Sequence, residues 1–303
     1  MSTSPARTPA GRVQLLATLA LLGVTASWGS TFFMIHDLLD RVPVVDFLAV
    51  RFTIAAAAMV ALAPRAIARL SPAKRRHAVV LGLLYGTAQI LQTAGLAHTP
   101  ASVSGFITGM YVVCTPLFAA LILGTRIGWL TWGAVLLAVA GLGVLTLSGF
   151  HVGYGEALTL VAAMVYALHI VGLGAWSTPR DAIGMSILQC LVIAVVCTIA
   201  ALPGGIAVPH RATDWLSVVY MALVAGAAAL LVQTWAQAHL PPTRSAIIMS
   251  MEPVFAALFA VLFGGEPTTG RMLLGGGMVL SAMVVTELLP RRRVETEVPH
   301  IAV

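Results

Sequence analysis

Glu252-Pro253-Val254-Phe255-Ala256-Ala257-Leu258 is the stretch that decides how this chain folds. Five of its seven positions recur at Thr115-Pro116-Leu117-Phe118-Ala119-Ala120-Leu121, an offset of 137. A second pair of blocks lies upstream. Gln92-Thr93, Ala97-His98 and Pro100 recur as Gln233-Thr234, Ala238-His239 and Pro241, at an offset of 141. The first copy therefore carries four extra residues between its blocks. Four residues are about one helical turn, which keeps the two prolines on nearly the same face.

Outward from these blocks, the chain divides into ten apolar runs: 13–33, 43–63, 78–97, 102–123, 129–149, 155–176, 183–202, 214–238, 243–263 and 271–289. A membrane helix needs about 20 residues, and each run is about that long. Pro64, Pro72, Pro179, Pro209 and Pro241-Pro242 fall in the gaps, as expected at helix ends. Composition agrees. The 303 residues are 59% hydrophobic and 9% charged, where a soluble domain carries about 25% charge. Mean hydropathy is +0.96. The runs are continuous, whereas strands of a membrane barrel alternate over about ten residues. The expected fold is all-α and integral to the membrane.

The repeat sets the topology. Its unit is five runs, so the expected domains are 13–149 and 155–289. An odd number of crossings inserts the second copy upside down, giving ten transmembrane helices in two inverted five-helix repeats. Residues 1–12 and 290–303 are expected as tails. The N-terminal run exceeds the about 7–15 residues of a signal h-region, so it reads as a retained helix. With the tails cytoplasmic, Arg41, Arg51, Arg211 and Arg271 lie outside and the remaining 13 of the 17 basic residues inside. That bias orients the protein in a cell (inner or plasma) membrane. It also accounts for the net charge of +6 without nucleic acid. Cys114, Cys190 and Cys197 lie in apolar runs, form no CxxC and read as buried thiols.

Glu252 is the only acid in its run. A charge at a helix centre costs roughly 2.5–3.5 kcal/mol on insertion scales, which makes an intramembrane ionisable group a functional candidate. It reads as a proton or cation coupling site or a substrate contact; the alternative is a glutamate bonded to the carbonyl that Pro253 frees. Pro116 and Pro253 are candidate helix breaks facing a cavity, or packing kinks. Arg51 reads as a structural ion pair with Asp46, Asp37 or Asp40 ahead of a substrate clamp. Tyr85, Gln89 and Gln92 share one helix face, and Tyr166 and His169 share another. With Trp28, Tyr111 and Gln233 they are candidates to line a cavity for a small zwitterion or an aromatic compound.

The motifs Trp28-Gly29-Ser30, Arg51-Phe52, Glu252-Pro253-Val254 and Gly265-Glu266, with the two proline blocks, resemble the drug/metabolite transporter superfamily, of the ten-span type built from two EamA domains. The resemblance covers about residues 13–289. It implies secondary transport, with export of small metabolites (amino acids or related compounds) or drugs by alternating access. One departure is Gly124-Thr125-Arg126, where relatives often have Gly-Glu. An uncoupled facilitator or channel, and a structural membrane protein, are the alternatives. No HExxH or Ser-His-Asp set appears, so an enzyme is not expected. Gly275-Gly276-Gly277 follows no strand and lacks the Lys-Ser/Thr of a phosphate loop. No metal or cofactor is expected. The expected partners are a small-molecule substrate and the lipid bilayer. The pairs Gly82/Gly86 and Gly105/Gly109 serve internal packing, with a homodimer as the alternative.

Overall fold

The computed structural model describes residues 9–99, 101–146, 153–263 and 268–288. Arg7, the basic tail, Pro100 and Gly265-Glu266 lie outside the described residues. The described chain is helical: α1 (Pro9–Gly29), α2 (Thr31–Leu39), α3 (Val44–Leu62), α4 (Pro72–Leu96), α5 (Ala101–Gly109), α6 (Tyr111–Leu123), α7 (Trp129–Thr146), α8 (Tyr154–Trp176), α9 (Ala182–Ala201), α10 (Ala212–Ala222), α11 (Ala229–Gln237), α12 (Pro242–Met249), α13 (Glu252–Phe263) and α14 (Gly270–Leu288). A π-helical turn, Leu223–Ala228, joins α10 to α11.

Local chemistry sets several of these ends. Ser71 caps α4 by accepting from the Lys74 amide, with Pro72 in the first turn. Gly124, at φ 65°, closes α6 in the left-handed conformation that glycine adopts without cost. Glu156 reaches back from the first turn of α8 to accept from the Gly153 amide at 3.0 Å.

Six described spans are long and apolar enough to cross a membrane: Val44–Leu62, Pro72–Leu96, Tyr154–Trp176, Ala182–Gly204, Ala212–Gln237 and Pro242–Phe263. Ile107–Leu123, Trp129–Val144 and Leu273–Ala282 are shorter apolar helices. Leu62, Leu121, Leu216 and Phe263 are exposed on the outside of the bundle. Water would not tolerate so much apolar surface; lipid does.

Inside, α4 lies against α8 and α9, α3 against α9, and α7 against α14. Small residues let these helices close up. A Cβ on Gly82 would sit 2.7 Å from the Val192 Cβ of α9, and one on Gly29 would sit 2.7 Å from the Phe255 Cβ of α13. The Gly82/Gly86 pair is thus spent on internal packing.

Three apolar stretches are interrupted in mid-course. α1 gives way to α2 at Ser30, α5 to α6 at Met110, and α12 to α13 at Ser250-Met251. Pro253 sits in the first turn after its break. Pro116 does not sit at a break: it lies inside α6, and the interruption falls at Met110. A proline disturbs the turn ahead of it, because its ring crowds the carbonyl of residue i−4. The breaks align at the offset of 141, pairing Met110 with Met251, and Met110 lies ahead of Val112, whose carbonyl the Pro116 ring crowds. The residue opposite Glu252 is then Tyr111, the first of α6, and not Thr115.

Candidate functional site

The three breaks face one another around a cavity. Its walls hold Trp28, Tyr85, Gln89, Gln92, Tyr111, Tyr166, His169, Gln233 and Glu252, all nine of the expected lining residues, together with Arg51. Tyr85, Tyr166 and Glu252 lie near the middle of the spans Pro72–Leu96, Tyr154–Trp176 and Pro242–Phe263. The cavity therefore sits about halfway along the helices. Within it, about 50 Å³ admits the centres of water-sized molecules. That is room for about four waters.

One wall is internally bonded. Gln89 Nε2 donates to the Tyr166 hydroxyl at 2.7 Å, which donates to Gln92 Oε1 at 2.8 Å, and Gln92 Nε2 donates to Thr108 Oγ1 at 3.0 Å. Tyr85 stands edge-on to both Tyr166 and His169, with ring centroids 5.6 and 5.0 Å away. His169 Nε2 bonds Gln189 Oε1 at 2.9 Å.

The opposite wall is left open. Gln233 Nε2 has only the Met249 sulfur, at 3.9 Å, and its Oε1 has no partner. The Tyr111 hydroxyl and His169 Nδ1 are likewise buried without a partner. Buried polar atoms are nearly always satisfied, so orphans around a cavity mark places where a ligand or water bonds. Glu252 is 7% exposed, lines the cavity and has no hydrogen-bond or ion-pair partner among the described residues. It does not cap the carbonyl that Pro253 frees.

Arg51 corrects an expectation. It forms no ion pair with Asp46, Asp37 or Asp40. Asp37 is held by Arg41 at 2.6 Å, and Asp46 accepts from the Ala207 amide at 3.0 Å. Arg51 is 3% exposed, lies over the rings of Phe47 and Phe52, and donates to the carbonyls of Met221 (3.1 Å) and Ala225 (3.3 Å). Trp28 Nε1 donates to the same Ala225 carbonyl at 2.9 Å. One acceptor, Ala225, lies in the π-helical turn; the other, Met221, lies at the end of α10 just ahead of it. Arg51 thus presents a cation to the cavity with no carboxylate beside it.

At the far end of α2, Arg41 spans from Asp37 to Asp214 of α10 (2.8 Å). Hydrogen bonds to these two carboxylates raise the Arg41 pKa above its ordinary value. The bridge ties α2 to α10.

Sequence reading missed Thr31, Thr108 and Met249 in the lining. Thr31 lies three residues beyond Trp28, hence on its face. Thr108 and Met249 are related by the offset of 141 that relates Gln92 to Gln233, so extending the repeat would have found both.

A membrane-embedded bundle of broken helices around a cavity midway along its length, with polar groups in an apolar lining, has the architecture of a membrane transporter. The chain belongs to the EamA-like transporter family, which it matches over residues 15–147 and 153–288. It is 28% identical over 279 residues to an uncharacterised transporter of Archaeoglobus fulgidus, covering 92% of this chain and 88% of that one. It is 26% identical to a probable terminal-alkyne amino-acid exporter of Streptantibioticus cattleyicolor, covering 93% and 97%. It is 25% identical to the inner membrane transporter YedA of Escherichia coli K12, covering 89% and 90%. A crystal structure of a protein 20% identical superposes with a TM-score of 0.77, covering 92% of this chain and 98% of that one, and shares the fold. These are names of transporters, not of enzymes.

Proposed function

We propose that this protein is a secondary active exporter of small zwitterionic metabolites of the amino-acid class, working by alternating access. The observation that carries this is the presence of the Arg51 guanidinium and the Glu252 carboxyl in one cavity. Among the described residues the Arg51 guanidinium hydrogen-bonds only to carbonyls, and the Glu252 carboxyl has no hydrogen-bond or ion-pair partner. A zwitterion supplies a carboxylate for the first and an ammonium for the second. Tyr111, Gln233 and His169 offer it further bonds, and the aromatic walls accept an apolar side chain. The exporter name of one relative is consistent with this class.

In this account the chain crosses an inner membrane ten times as two inverted five-helix units, 13–149 and 155–289, with both tails cytoplasmic. Glu252 couples transport to a proton or cation. The Arg41 bridge is the outer latch, and substrate passes when α2 parts from α10. Proteoliposomes loaded with labelled amino acids test it. Export driven by a pH gradient is the expected result. No movement of any amino acid overturns it, and equal movement with and without a gradient points to an uncoupled facilitator.

A further inference from the structure

A second cavity shares no lining residue with the first. It is formed by the α3–α4 connection and the start of α9, and measures about 430 Å³. Arg65 and Arg69 from the connection and Arg180 ahead of α9 line it. None of the three has a hydrogen-bond or ion-pair partner among the described residues, although each is an always-charged donor. The one acid in the wall, Asp181, is already engaged. It accepts from Thr178 Oγ1 at 2.6 Å and lies 3.9 Å from Lys74 Nζ.

The floor adds to the positive field. Ile183 and Gly184 belong to the first turn of α9, a helix of 20 residues with no acidic side chain in that turn. The Asp181 side chain does not cap it. The first-turn amides therefore have no partner within the helix and present the positive end of its dipole. Gly184 lets the connection sit directly on this turn: a Cβ there would lie 2.7 Å from the Ala66 carbonyl oxygen. The pocket is thus a packed feature with a fixed wall.

Its mouth adjoins apolar surface. Leu62, at the end of α3, is 86% exposed and Ile183 is 48% exposed. A cationic pocket bordered by lipid-facing side chains receives a ligand with an anionic head and an apolar tail.

We propose that the pocket formed by Arg65, Arg69, Arg180 and the first turn of α9 binds the phosphate head group of an anionic phospholipid. Three guanidiniums give the planar donor pairs that phosphate oxygens accept. The site is independent of what the central cavity carries.

Native mass spectrometry of the full-length protein in detergent, titrated with phosphatidylglycerol or phosphatidylcholine, tests this. Phosphatidylglycerol is expected to bind selectively. Each of Arg65→Gln, Arg69→Gln and Arg180→Gln is expected to weaken it about fivefold, and the triple variant roughly a hundredfold. Arg76→Gln removes the same charge from an exposed position outside the pocket and is expected to leave affinity unchanged. The single variants keep the test valid if the triple variant does not fold. Equal binding of both lipids, no loss in the single variants, or an equal loss with Arg76→Gln overturns the proposal. An anion site without lipid is the outcome if inorganic phosphate displaces phosphatidylglycerol at the same concentration, and that also overturns it.

Discussion

The helix break at Met110 and the one at Ser250-Met251 have the same backbone course and opposite chemistry. In the first, Gln92 donates to Thr108 at 3.0 Å, and Tyr166 joins Gln92 to Gln89. In the second, Gln233 and Gln237 share the sulfur of Met249 at 3.9 Å, and both leave an oxygen unpaired. The first break is followed by Tyr111 and the second by Glu252. The glutamines beside the first break are bonded to their neighbours; those beside the second keep bonding capacity for something that enters, as does the Tyr111 hydroxyl. A repeat can therefore supply symmetric backbone for movement while sequence divergence supplies an asymmetric site.

The largest expected effect comes from Glu252. Glu252→Gln is expected to abolish gradient-driven export in proteoliposomes while substrate exchange at equal pH persists; unchanged concentrative export would remove the carboxyl from the coupling step. Arg51→Met comes next. It leaves the Met221 and Ala225 carbonyls without their charged donor, at roughly 2–3 kcal/mol of stability, read as a lower thermal midpoint together with loss of transport. Arg51→Lys should recover stability better than transport, because a point charge cannot reproduce the fork.

Two smaller tests separate the walls directly. Tyr166→Phe strands both Gln89 and Gln92 and is expected to cost about 1–3 kcal/mol. Gln233→Leu removes an amide whose oxygen is already unpaired, so its stability should hold or rise while substrate affinity falls. Equal destabilisation by the two would mean that the walls are alike after all. Smallest of all, Met249→Thr offers Gln233 the hydroxyl acceptor that Thr108 gives Gln92. It is expected to weaken transport by occupying an amide the substrate uses, while the lost burial of the Met249 side chain offsets the new bond, so that the thermal midpoint in detergent holds or falls.

Much of this architecture is legible in the residues alone. Helical membrane character follows from composition, and the nine lining residues follow from one rule: a polar or aromatic side chain inside an apolar run turns away from lipid. The partner of Arg51 was not legible. It depends on carbonyls at the end of α10 and in the π-helical turn after it, at sequence separations of 170 and 174, and Leu223–Ala228 reads as ordinary apolar helix. The break at Met110 was hidden for a different reason. Pro116 is the conspicuous residue, but it lies inside α6 and the break falls ahead of that helix. The bonded and unbonded glutamines also look identical in sequence, since what distinguishes them is the residue 16 positions further along, Thr108 in one copy and Met249 in the other.

The π-helical turn has a consequence for aim as well as for charge. Relative to a regular helix it accommodates about one extra residue, and one residue is about 100° of rotation. Everything beyond Ala228 is therefore turned by that angle relative to α10. Gln233 faces the cavity because of it; a straight α-helix through Leu223–Ala228 would swing that amide toward a neighbouring helix or the lipid. The turn acts as an angular spacer, and deleting one residue within it would rotate the site's wall while leaving every side chain of the wall in place in the sequence.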